Sequence, residues 1–272
     1  MIIPCFRCAD TVERAVASAA GQTSPPKEIL LVEDCSADAG RTLDSLYRLQ
    51  QKYQGKVSIS IVPLKNNNGP GGARNAGWDA ASQPYIAFLD ADDAWHPEKL
   101  SIQYECMRNE PDIALCGHQC IWLREGESMP VVAKDLLTTR VSARSLLFKN
   151  SILTSTAMLR RDVSFRFQKG KRYIEDLLLW QQIAFSGLQV ARIEGPLAYV
   201  HKPFYGAGGL SAQLWKMEQG ELDNLHVLRR QKNIGWLLFL TAFSFSTAKF
   251  IRRLVVSRLR RVAKPVFNRG VQ

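Results

Sequence analysis

The first 120 residues alternate short apolar runs with segments of helical periodicity. The predicted strands are 2–3, 28–32, 57–64 and 85–89, and the predicted helices are 10–20, 41–53, 73–81 and 99–108. Strands and helices alternating at this spacing predict an α/β, Rossmann-like fold, in which right-handed crossovers build a mostly parallel sheet flanked by helices. The run 85–89 is apolar throughout, which is typical of a strand buried on both faces of such a sheet.

Beyond residue 110 the pattern becomes less regular. We expect strands at 113–122 and 154–159, a helix at 142–148, and two edge strands at 190–193 and 197–201. Glu175 and Asp176 open an apolar helix that runs to Phe185 and ends at Gly187. A glycine-rich loop follows at 206–209.

Acidic residues follow the fourth predicted strand directly, as Asp90, Asp92 and Asp93. In open α/β sheets, ligands bind just beyond the carboxyl ends of the strands. Closely spaced carboxylates repel one another unless a cation lies between them, and hard oxygen ligands suit Mg²⁺ or Mn²⁺ together with substrate phosphates. The alternative is an acidic strand-to-helix turn in which Asp93 caps the helix that follows.

Two other loops carry candidate chemistry. A second acidic cluster, at 33–38, follows the second strand, and a glycine-rich turn at 69–74 opens a helix. Such turns suit phosphate groups. This one is neither a P-loop nor a dinucleotide-binding motif, because Gly-Lys-Ser/Thr is missing and Arg74 takes the place of the last glycine. Arg74 is therefore either a phosphate ligand or the partner of a nearby carboxylate.

The acidic pair Glu175-Asp176 and the single His201 each have two interpretations. Acidic residues are favoured in the first turn of a helix by the helix dipole. A carboxylate at a rigid helix end can also serve as a general base. His201 is either a metal ligand or a structural residue.

The 272 residues allow one large domain, or a domain with an appendage. The formal net charge of +11 lies entirely at one end: residues 229–272 carry 11 Lys and Arg and no Asp or Glu, and the remaining 25 basic residues balance the 25 acidic ones. A neutral body argues against nucleic acid as the partner. No apolar stretch is long enough to span a bilayer and no signal peptide is evident, so we expect a cytosolic chain whose six cysteines are thiols.

Five motifs in order resemble those of glycosyltransferase family 2, the inverting nucleotide-sugar transferases of GT-A fold, over about residues 2–212. They are IPCF at 3–6 for the opening strand and turn, LVEDCSAD at 31–38 for V-D-D-G-S-x-D, GARNAG at 72–77 for G-x-A-R-N-x-G, FLDADD at 88–93 for the D-x-D segment, and ED at 175–176 for the E-D pair. Glu33 stands where the family usually has Asp, and Cys35 where it has Gly.

The resemblance implies a function for each matched residue. The residues that it places near the nucleotide are Pro4, Glu33, Asp34, Arg74 and Asp90. Asp92 and His201 would contact the Mg²⁺ or Mn²⁺ that binds the donor diphosphate, and Asp176 would deprotonate the acceptor hydroxyl.

The implied reaction transfers a sugar from a nucleotide-sugar donor, with UDP the usual nucleotide in the family, to a saccharide hydroxyl. In many members that assemble polysaccharides the acceptor is lipid-linked, on a polyprenyl carrier. Attack on the anomeric carbon expels a nucleoside diphosphate, whose charge a divalent cation stabilises. One carboxylate acting from the opposite face gives inversion in a single displacement.

Two other functions stay open at this point. A sugar nucleotidyltransferase also uses an α/β sheet with metal-binding carboxylates, but it needs a glycine-rich N-terminal loop, and residues 3–11 contain no Gly. A non-catalytic, membrane-bound scaffold could have kept a nucleotide-binding fold. Metal-dependent hydrolysis of a nucleotide-sugar would separate an enzyme from that scaffold.

The basic C-terminal segment has the pattern of an interfacial membrane anchor. Residues 234–245 are apolar but too short to span a bilayer, and 249–261 interleave apolar with basic residues. This predicts that 234–264 lie on the anionic cytoplasmic face of a cell membrane, the bacterial inner membrane in the type of protein that the chain resembles. The alternative is a helix docked on the catalytic domain with a solvated basic end.

The domain organisation predicted from these observations has two parts. A catalytic domain of GT-A type occupies 1–212, in which 1–108 bind the nucleotide and 109–212 bind the acceptor. A basic, amphipathic helical extension occupies 213–272 and attaches the protein peripherally to the membrane.

Overall fold

The structure, a computed structural model, describes residues 1–124, 127, 130–133, 135–201 and 213–263, with side chains to residue 256. Three sequence-based predictions fall wholly or partly outside these residues. They are the glycine-rich loop 206–209, the domain boundary at 212, and the far end of the basic segment up to residue 264.

Strands and helices alternate along the described part of the chain. The strands are β1 (Ile2–Cys5), β2 (Glu28–Glu33), β3 (Ser58–Pro63), β4 (Tyr85–Ala87), β5 (Asp93–Trp95), β6 (Ile113–Trp122), β7 (Thr138–Arg140), β8 (Met158–Arg160) and β9 (Gln189–Val200). The helices are α1 (Val12–Ala20), α2 (Arg41–Lys52), α3 (Gly69–Ala80), α4 (Lys99–Asn109), α5 (Glu175–Phe185), α6 (Leu214–Arg230) and α7 (Trp236–Ala263). Single 3₁₀ turns lie at Ser145–Leu147 and Thr154–Thr156.

The sheet has a parallel half and a mixed half. β1, β2 and β3 pair in parallel in the order β1-β2-β3. A parallel bridge between Ile2 and Phe88 joins β1 to the end of β4, and the order continues β4-β8-β6-β9-β5. β6 and β9 are parallel, while β8 pairs antiparallel with both β4 and β6. The predicted α/β class with a parallel-rich, helix-flanked sheet is confirmed.

Helices cover both faces of the sheet because successive strand residues point to opposite sides. On β1, Ile3 belongs to the apolar cluster that contains Val16 of α1 and Leu46 of α2. Its neighbour Ile2 belongs to the cluster that contains Trp180 of α5 and side chains of α3. The carboxyl ends of β1 and β2 therefore open between two helical layers.

Helix α3 approaches the sheet closely at Gly77. An added Cβ there would lie 2.5 Å from Cγ2 of Ile2 and 3.0 Å from Cγ2 of Val32. Only glycine fits this position without displacing a strand side chain. The close approach fixes the helix that carries Arg74.

Two predictions around the acidic junction were wrong. The strand at 85–89 covers only Tyr85–Ala87 and pairs antiparallel with β8, although Phe88 and Leu89 are fully buried. Asp93 does not cap a helix, because it lies in β5, which pairs with β9. The apolar run indicated burial correctly, and its pairing is mixed: antiparallel with β8, and parallel with β1 through the bridge at Phe88.

The second half of the sheet also differs from the prediction. The segment 142–148 forms only a 3₁₀ turn, and 154–159 splits into a 3₁₀ turn followed by β8. The two predicted edge strands form the single strand β9, which lies inside the sheet between β6 and β5. Pro196, which lacks an N–H, is accommodated because β6 shifts register opposite it, at Gln119.

The C-terminal region is helical and packs on the rest of the protein. α6 and α7 enclose an apolar cluster that includes Leu228 and Phe239 and extends to Leu178 of α5. α7 is one continuous helix rather than two segments. In the described residues, no helix combines the length and apolar character needed to cross a membrane.

Candidate active site

A cleft of about 1190 Å³ opens at the carboxyl ends of the central strands. The sequence-predicted site residues that line it are Pro4, Asp34, Arg74, Asp90, Asp92 and Asp176. Pro4 lies in β1, Asp34 follows β2, and Asp90 follows β4. Six residues from distant parts of the sequence therefore meet in one cavity, whereas Glu33 and His201 are not among the lining residues.

Arg74 of α3 connects two acidic segments of the site. Its buried guanidinium donates from Nη2 to Oδ1 of Asp90 at 2.7 Å and from Nη1 to Oε1 of Glu175 at 3.0 Å. Burial opposes the charge of Arg74, but Asp90 and Glu175 outweigh it and raise the pKa of the guanidinium. The structure therefore pairs Arg74 with carboxylates.

Glu175, the first residue of α5, is buried beside this guanidinium. Burial raises the pKa of Glu175 to about 7, although the charge of Arg74 favours the ionised form. The carboxylate thus forms a tertiary ion pair and does more than complement the helix dipole.

Ser155 holds the D-x-D segment in place. Its hydroxyl donates to Oδ2 of Asp93 at 2.6 Å and accepts the backbone N–H of Asp90 at 3.2 Å. Burial, together with the charges of Asp90 and Asp92, raises the pKa of Asp93 well above its ordinary value. Asp93 is therefore a buried anchor for the segment, and Asp90 and Asp92 reach the cleft.

Asp176 is oriented by three hydrogen bonds. Oδ1 accepts the backbone N–H of Leu177 at 2.7 Å, and Oδ2 accepts the Thr154 hydroxyl at 3.1 Å and the Asn150 amide at 3.5 Å. Burial raises the pKa of Asp176, whereas these hydrogen bonds and Arg74 lower it. The result is a carboxylate of fixed direction at a rigid helix end.

The two acidic residues after β2 have different surroundings. Oδ1 of Asp34 accepts the backbone N–H of Asn68 at 2.7 Å, and burial raises the pKa of this carboxyl. The carboxylate of Glu33 instead turns back onto its own loop, where it accepts the N–H groups of Cys35 at 3.1 Å and Ser36 at 2.7 Å. Glu33 therefore stabilises the turn, in which Cys35 has a φ of 54°.

Asp92 and His201 form a candidate pair of metal ligands. Burial lowers the pKa of His201, as does Arg14, whereas Asp92 raises it, so the Asp92 carboxylate acts electrostatically on the imidazole. Nε2 of His201 is buried and has no hydrogen-bond partner among the described residues. One carboxylate and one free imidazole nitrogen, completed by diphosphate oxygens, suit Mn²⁺ or Mg²⁺. The described residues contain no group of three His, Cys, Asp or Glu arranged for a metal ion.

Sequence reasoning missed several residues that shape the cleft. Thr154, Ser155 and Asn150 reach it from irregular backbone, for which no motif gave a signal. Arg172 also lines it, and its guanidinium donates to Oδ1 of Asn67 at 2.6 Å beside the start of α3. The sequence offered only a basic residue three positions before Glu175 as a signal for Arg172.

The C-terminal helices contribute a wall of the cleft. Its lining residues from this region are Gln213, Met217, Glu221, Lys249 and Arg253. The basic residues of α7 had been grouped with a membrane-facing segment, but Lys249 and Arg253 face the site. The C-terminal extension therefore forms part of the wall of the cleft.

Comparison with known proteins agrees with this description. The family model "Glycosyl transferase family 2" matches residues 1–166. The succinoglycan biosynthesis protein ExoO of Rhizobium meliloti (strain 1021) is 31% identical over 176 residues, which are 65% of this chain and 46% of ExoO. The UDP-Glc:alpha-D-GlcNAc-diphosphoundecaprenol beta-1,3-glucosyltransferase WfaP of Escherichia coli is 37% identical over 231 residues, 79% of this chain and 80% of WfaP.

Among solved structures, the mannosyltransferase PcManGT from Pyrobaculum calidifontis in complex with GDP-Man and Mn²⁺ is similar with a TM-score of 0.65. The similarity covers 97% of this chain and 80% of PcManGT at 15% sequence identity, so it speaks for the fold alone.

The sheet order, the helical layers and the acidic cleft define a transferase fold of the GT-A type. The chain belongs to glycosyl transferase family 2, as its motifs indicated. It is similar to proteins of bacterial polysaccharide biosynthesis, and it spans less than half the length of ExoO.

Proposed function

We propose that this chain is an inverting glycosyltransferase that moves a sugar from a UDP-sugar to a hydroxyl of a lipid-linked saccharide during polysaccharide assembly. The observation that carries the proposal is Asp176, a carboxylate held by three hydrogen bonds in the same cleft as Asp90 and Asp92. The name of WfaP supports both UDP and a diphosphate-linked lipid acceptor.

The nucleotide end of the cleft is formed by Pro4, Asp34 and Asp90. Asp90 contacts the ribose, and the Arg74 ion pair prevents it from rotating away. Asp34, tied to the start of α3, lies toward the base and ribose. Binding the donor against this preorganised edge costs little side-chain entropy, since these groups are already fixed.

Asp176 accepts the proton of the acceptor hydroxyl as the hydroxyl attacks the anomeric carbon. The C–O bond to the diphosphate breaks on the opposite face, which inverts the anomeric configuration. Thr154 and Asn150 keep the ionised carboxylate available, because hydrogen bonds to the charged form favour it.

Asp92 and His201 would hold a divalent cation, Mg²⁺ or Mn²⁺, with its remaining positions filled by diphosphate oxygens and water. When bound, the cation neutralises the charge that develops on the leaving nucleoside diphosphate. Arg172 supplies a further cation that lines the cleft, beside Asn67 and Asp34.

A peripheral position on the cytoplasmic face of the membrane is part of the proposal. α7 buries Phe239, Ala242 and Phe250 toward the protein, and it leaves a second apolar face exposed. Trp236, Leu237, Leu240, Ile251 and Val255 belong to this exposed face. At 100° per residue they fall within an arc of about 100°, as expected for a helix lying in a membrane interface.

The test is a transfer assay with UDP-glucose, a synthetic N-acetylglucosaminyl diphosphate lipid and Mn²⁺, with EDTA as the metal-free arm. Asp176→Asn should bind UDP normally and lose about 10²- to 10⁴-fold in transfer, the usual contribution of a general base. Asp79→Asn is the matched control, because Asp79 is exposed on α3 away from the cleft.

Near-normal turnover by Asp176→Asn would reject the assignment of the base. Absence of both transfer and metal-dependent donor hydrolysis with UDP-, GDP- and dTDP-sugars would favour the non-catalytic scaffold instead.

A further inference from the structure

The end of the cleft formed by α7 is positively charged, whereas the segments 90–93 and 175–176 of the same cleft are acidic. Lys249 and Arg253 lie one turn apart on α7, line the cleft, and have side chains that are 19% and 28% exposed. Lys149 lines the same cavity from the opposite side, at its exposed mouth. We call these three residues the cationic end of the cleft.

One acidic side chain among the cleft-lining residues faces these cations from the packed helices. Glu221 of α6 is paired with Lys249, and its Oε2 lies 3.9 Å from Nη1 of Arg253. Glu221 offsets one of the three positive charges, and the buried Glu218 of α6 also acts on Lys249 and Arg253, so a net positive charge of one remains when both carboxyls are ionised. The carboxylates of the donor and base sites belong to the segments 90–93 and 175–176 of the same cavity.

An apolar surface continues outward from the cationic end. Phe148, which lines the cleft, packs edge-on against Phe245 of α7 with ring centroids 5.3 Å apart. Nζ of Lys249 lies 5.7 Å from the centre of the Phe245 ring. Phe245 is itself exposed, so the Phe148–Phe245 pair is an apolar surface that solvent reaches beside Lys249. A ligand that is anionic at one end and a hydrocarbon at the other matches this sequence of surfaces.

We propose that the cationic end binds the diphosphate of the lipid-linked acceptor, with the prenyl chain leaving past Phe148 and Phe245. The proposal rests on the proposed transferase function and assigns the part of the cleft that binds the acceptor diphosphate. Charge-assisted hydrogen bonds from Lys249 and Arg253 to phosphate oxygens would be strong, because both side chains are largely screened from solvent.

The test measures binding of geranylgeranyl diphosphate in detergent, with UDP and Mn²⁺ saturating the donor site so that the probe reports only the acceptor side. Geranylgeraniol and inorganic pyrophosphate are the two comparison probes. We expect the lipid diphosphate to bind at least about tenfold more tightly than either, since it alone satisfies both the charge and the apolar surface.

The variants distinguish a binding site from a purely structural ion pair, because the two cases predict changes of different sign in the affinity for the lipid diphosphate. Lys249→Gln and Arg253→Gln should each weaken binding of the lipid diphosphate by about tenfold, the loss of one charge-assisted hydrogen bond. Glu221→Gln should strengthen it a few-fold, because it removes an offsetting charge while its amide can still accept from Lys249. Arg252→Gln, which removes an exposed charge one position from Arg253, should leave binding unchanged.

Equal binding of geranylgeraniol would overturn the proposal, as would weakening by Glu221→Gln with the fold retained by circular dichroism. Pyrophosphate bound as tightly as the lipid diphosphate would make the cationic end a site for free phosphate and reject the lipid acceptor. These outcomes do not depend on catalysis. Loss of UDP-sugar binding would contradict the proposed function alone. Sugar transfer that stays intact although geranylgeranyl diphosphate does not bind would contradict this proposal alone.

Discussion

The hydroxyl of Thr154 donates a hydrogen bond to Oδ2 of Asp176 across 3.1 Å, from a 3₁₀ turn to the first turn of α5. This hydrogen bond fixes the orientation of the Asp176 carboxylate and favours its ionised form. Burial raises the pKa of Asp176, and the Thr154 hydroxyl is one of the groups that lower it.

Thr154→Val should therefore raise the pKa of Asp176. A base works only when it is deprotonated, so the acid limb of the kcat profile should move to higher pH, while transfer on the alkaline plateau stays within about tenfold of wild type. Measurement of transfer rates from pH 5 to pH 9 would show the displacement.

Thr156→Val is the matched control, because the Thr156 hydroxyl donates to the carbonyl of Leu153 at 2.8 Å in the same turn and does not bond to Asp176. An acid limb that moves equally in both variants would mean that the turn, rather than the hydrogen bond, controls the base.

Glu175 makes the stability of the protein depend on pH. Its pKa is raised from 4.5 to about 7 by burial, so the folded chain holds this proton more tightly than the unfolded chain does. The stability that the protonated form provides is present below pH 4.5 and is lost as pH rises through about 7. Glu175→Gln should make the decline in thermal stability between pH 5 and pH 7.5 shallower.

The glutamine amide can still accept a hydrogen bond from Arg74. The variant therefore removes the titrating carboxyl and keeps most of the contact with Arg74. Glu13→Gln is the control, since Glu13 is exposed and paired with Lys52 on the surface. An identical slope in wild type and Glu175→Gln would contradict the raised pKa.

Gly77 tests the packing of α3 on the sheet. Gly77→Ala would bring a methyl group to within 2.5 Å of Ile2, and we expect it to lower the free energy of unfolding by about 1–3 kcal/mol, the usual cost of overpacking a core. Gly235→Ala, where an added Cβ meets nothing within 4 Å, should change it by less than about 0.5 kcal/mol. Urea denaturation of both variants would decide, and equal effects would contradict the close approach.

Much of the nucleotide-binding half could be predicted from the sequence. β1, β2 and β3 and the helices between them follow local apolar patterns, and parallel pairing brings the residues after each strand to one edge. Pro4, Asp34, Arg74, Asp90, Asp92 and Asp176 were named from motifs and line one cleft. The functions given to them stay predictions.

The remainder depends on contacts between distant residues. Ser155 acts on Asp93 and Thr154 acts on Asp176 from a turn that has no periodicity, so no local pattern pointed to either. β9 was predicted as two strands, and its pairing with β6 on both sides of Gly195-Pro196 keeps it continuous. The inward orientation of Lys249 depends on how α7 docks, which its basic composition concealed.

The exposed face of α7 tests the membrane proposal. Leu237→Glu with Leu240→Glu should reduce binding to vesicles of anionic phospholipid by about tenfold or more. Each inserted leucine contributes about 1.5–3 kcal/mol to the free energy of membrane binding by burying its apolar surface. Thr241→Glu adds charge to the same helix outside the apolar arc and should reduce binding less. Unchanged sedimentation with vesicles in the double variant would contradict the anchor.

Lys99 is buried with no ionic partner in the part of the chain that the structure describes, and its replacement should stabilise the protein. Nζ has no hydrogen-bond partner among the described residues and lies 3.7 Å from the centre of the Trp95 ring. Burial lowers the pKa of Lys99 well below 10.5, so the folded chain holds this proton less tightly than the unfolded chain does. Proton binding therefore favours the unfolded chain until the pH approaches 10.5. Lys99→Met, of similar length, should therefore raise the free energy of unfolding at pH 7 by about 1–3 kcal/mol, the cost of a buried unpaired polar group, and the gain should shrink as the pH approaches 10.

Lys52→Met, at an exposed surface pair, should produce no such gain, and destabilisation by Lys99→Met would show that the amine is charged and held by Trp95.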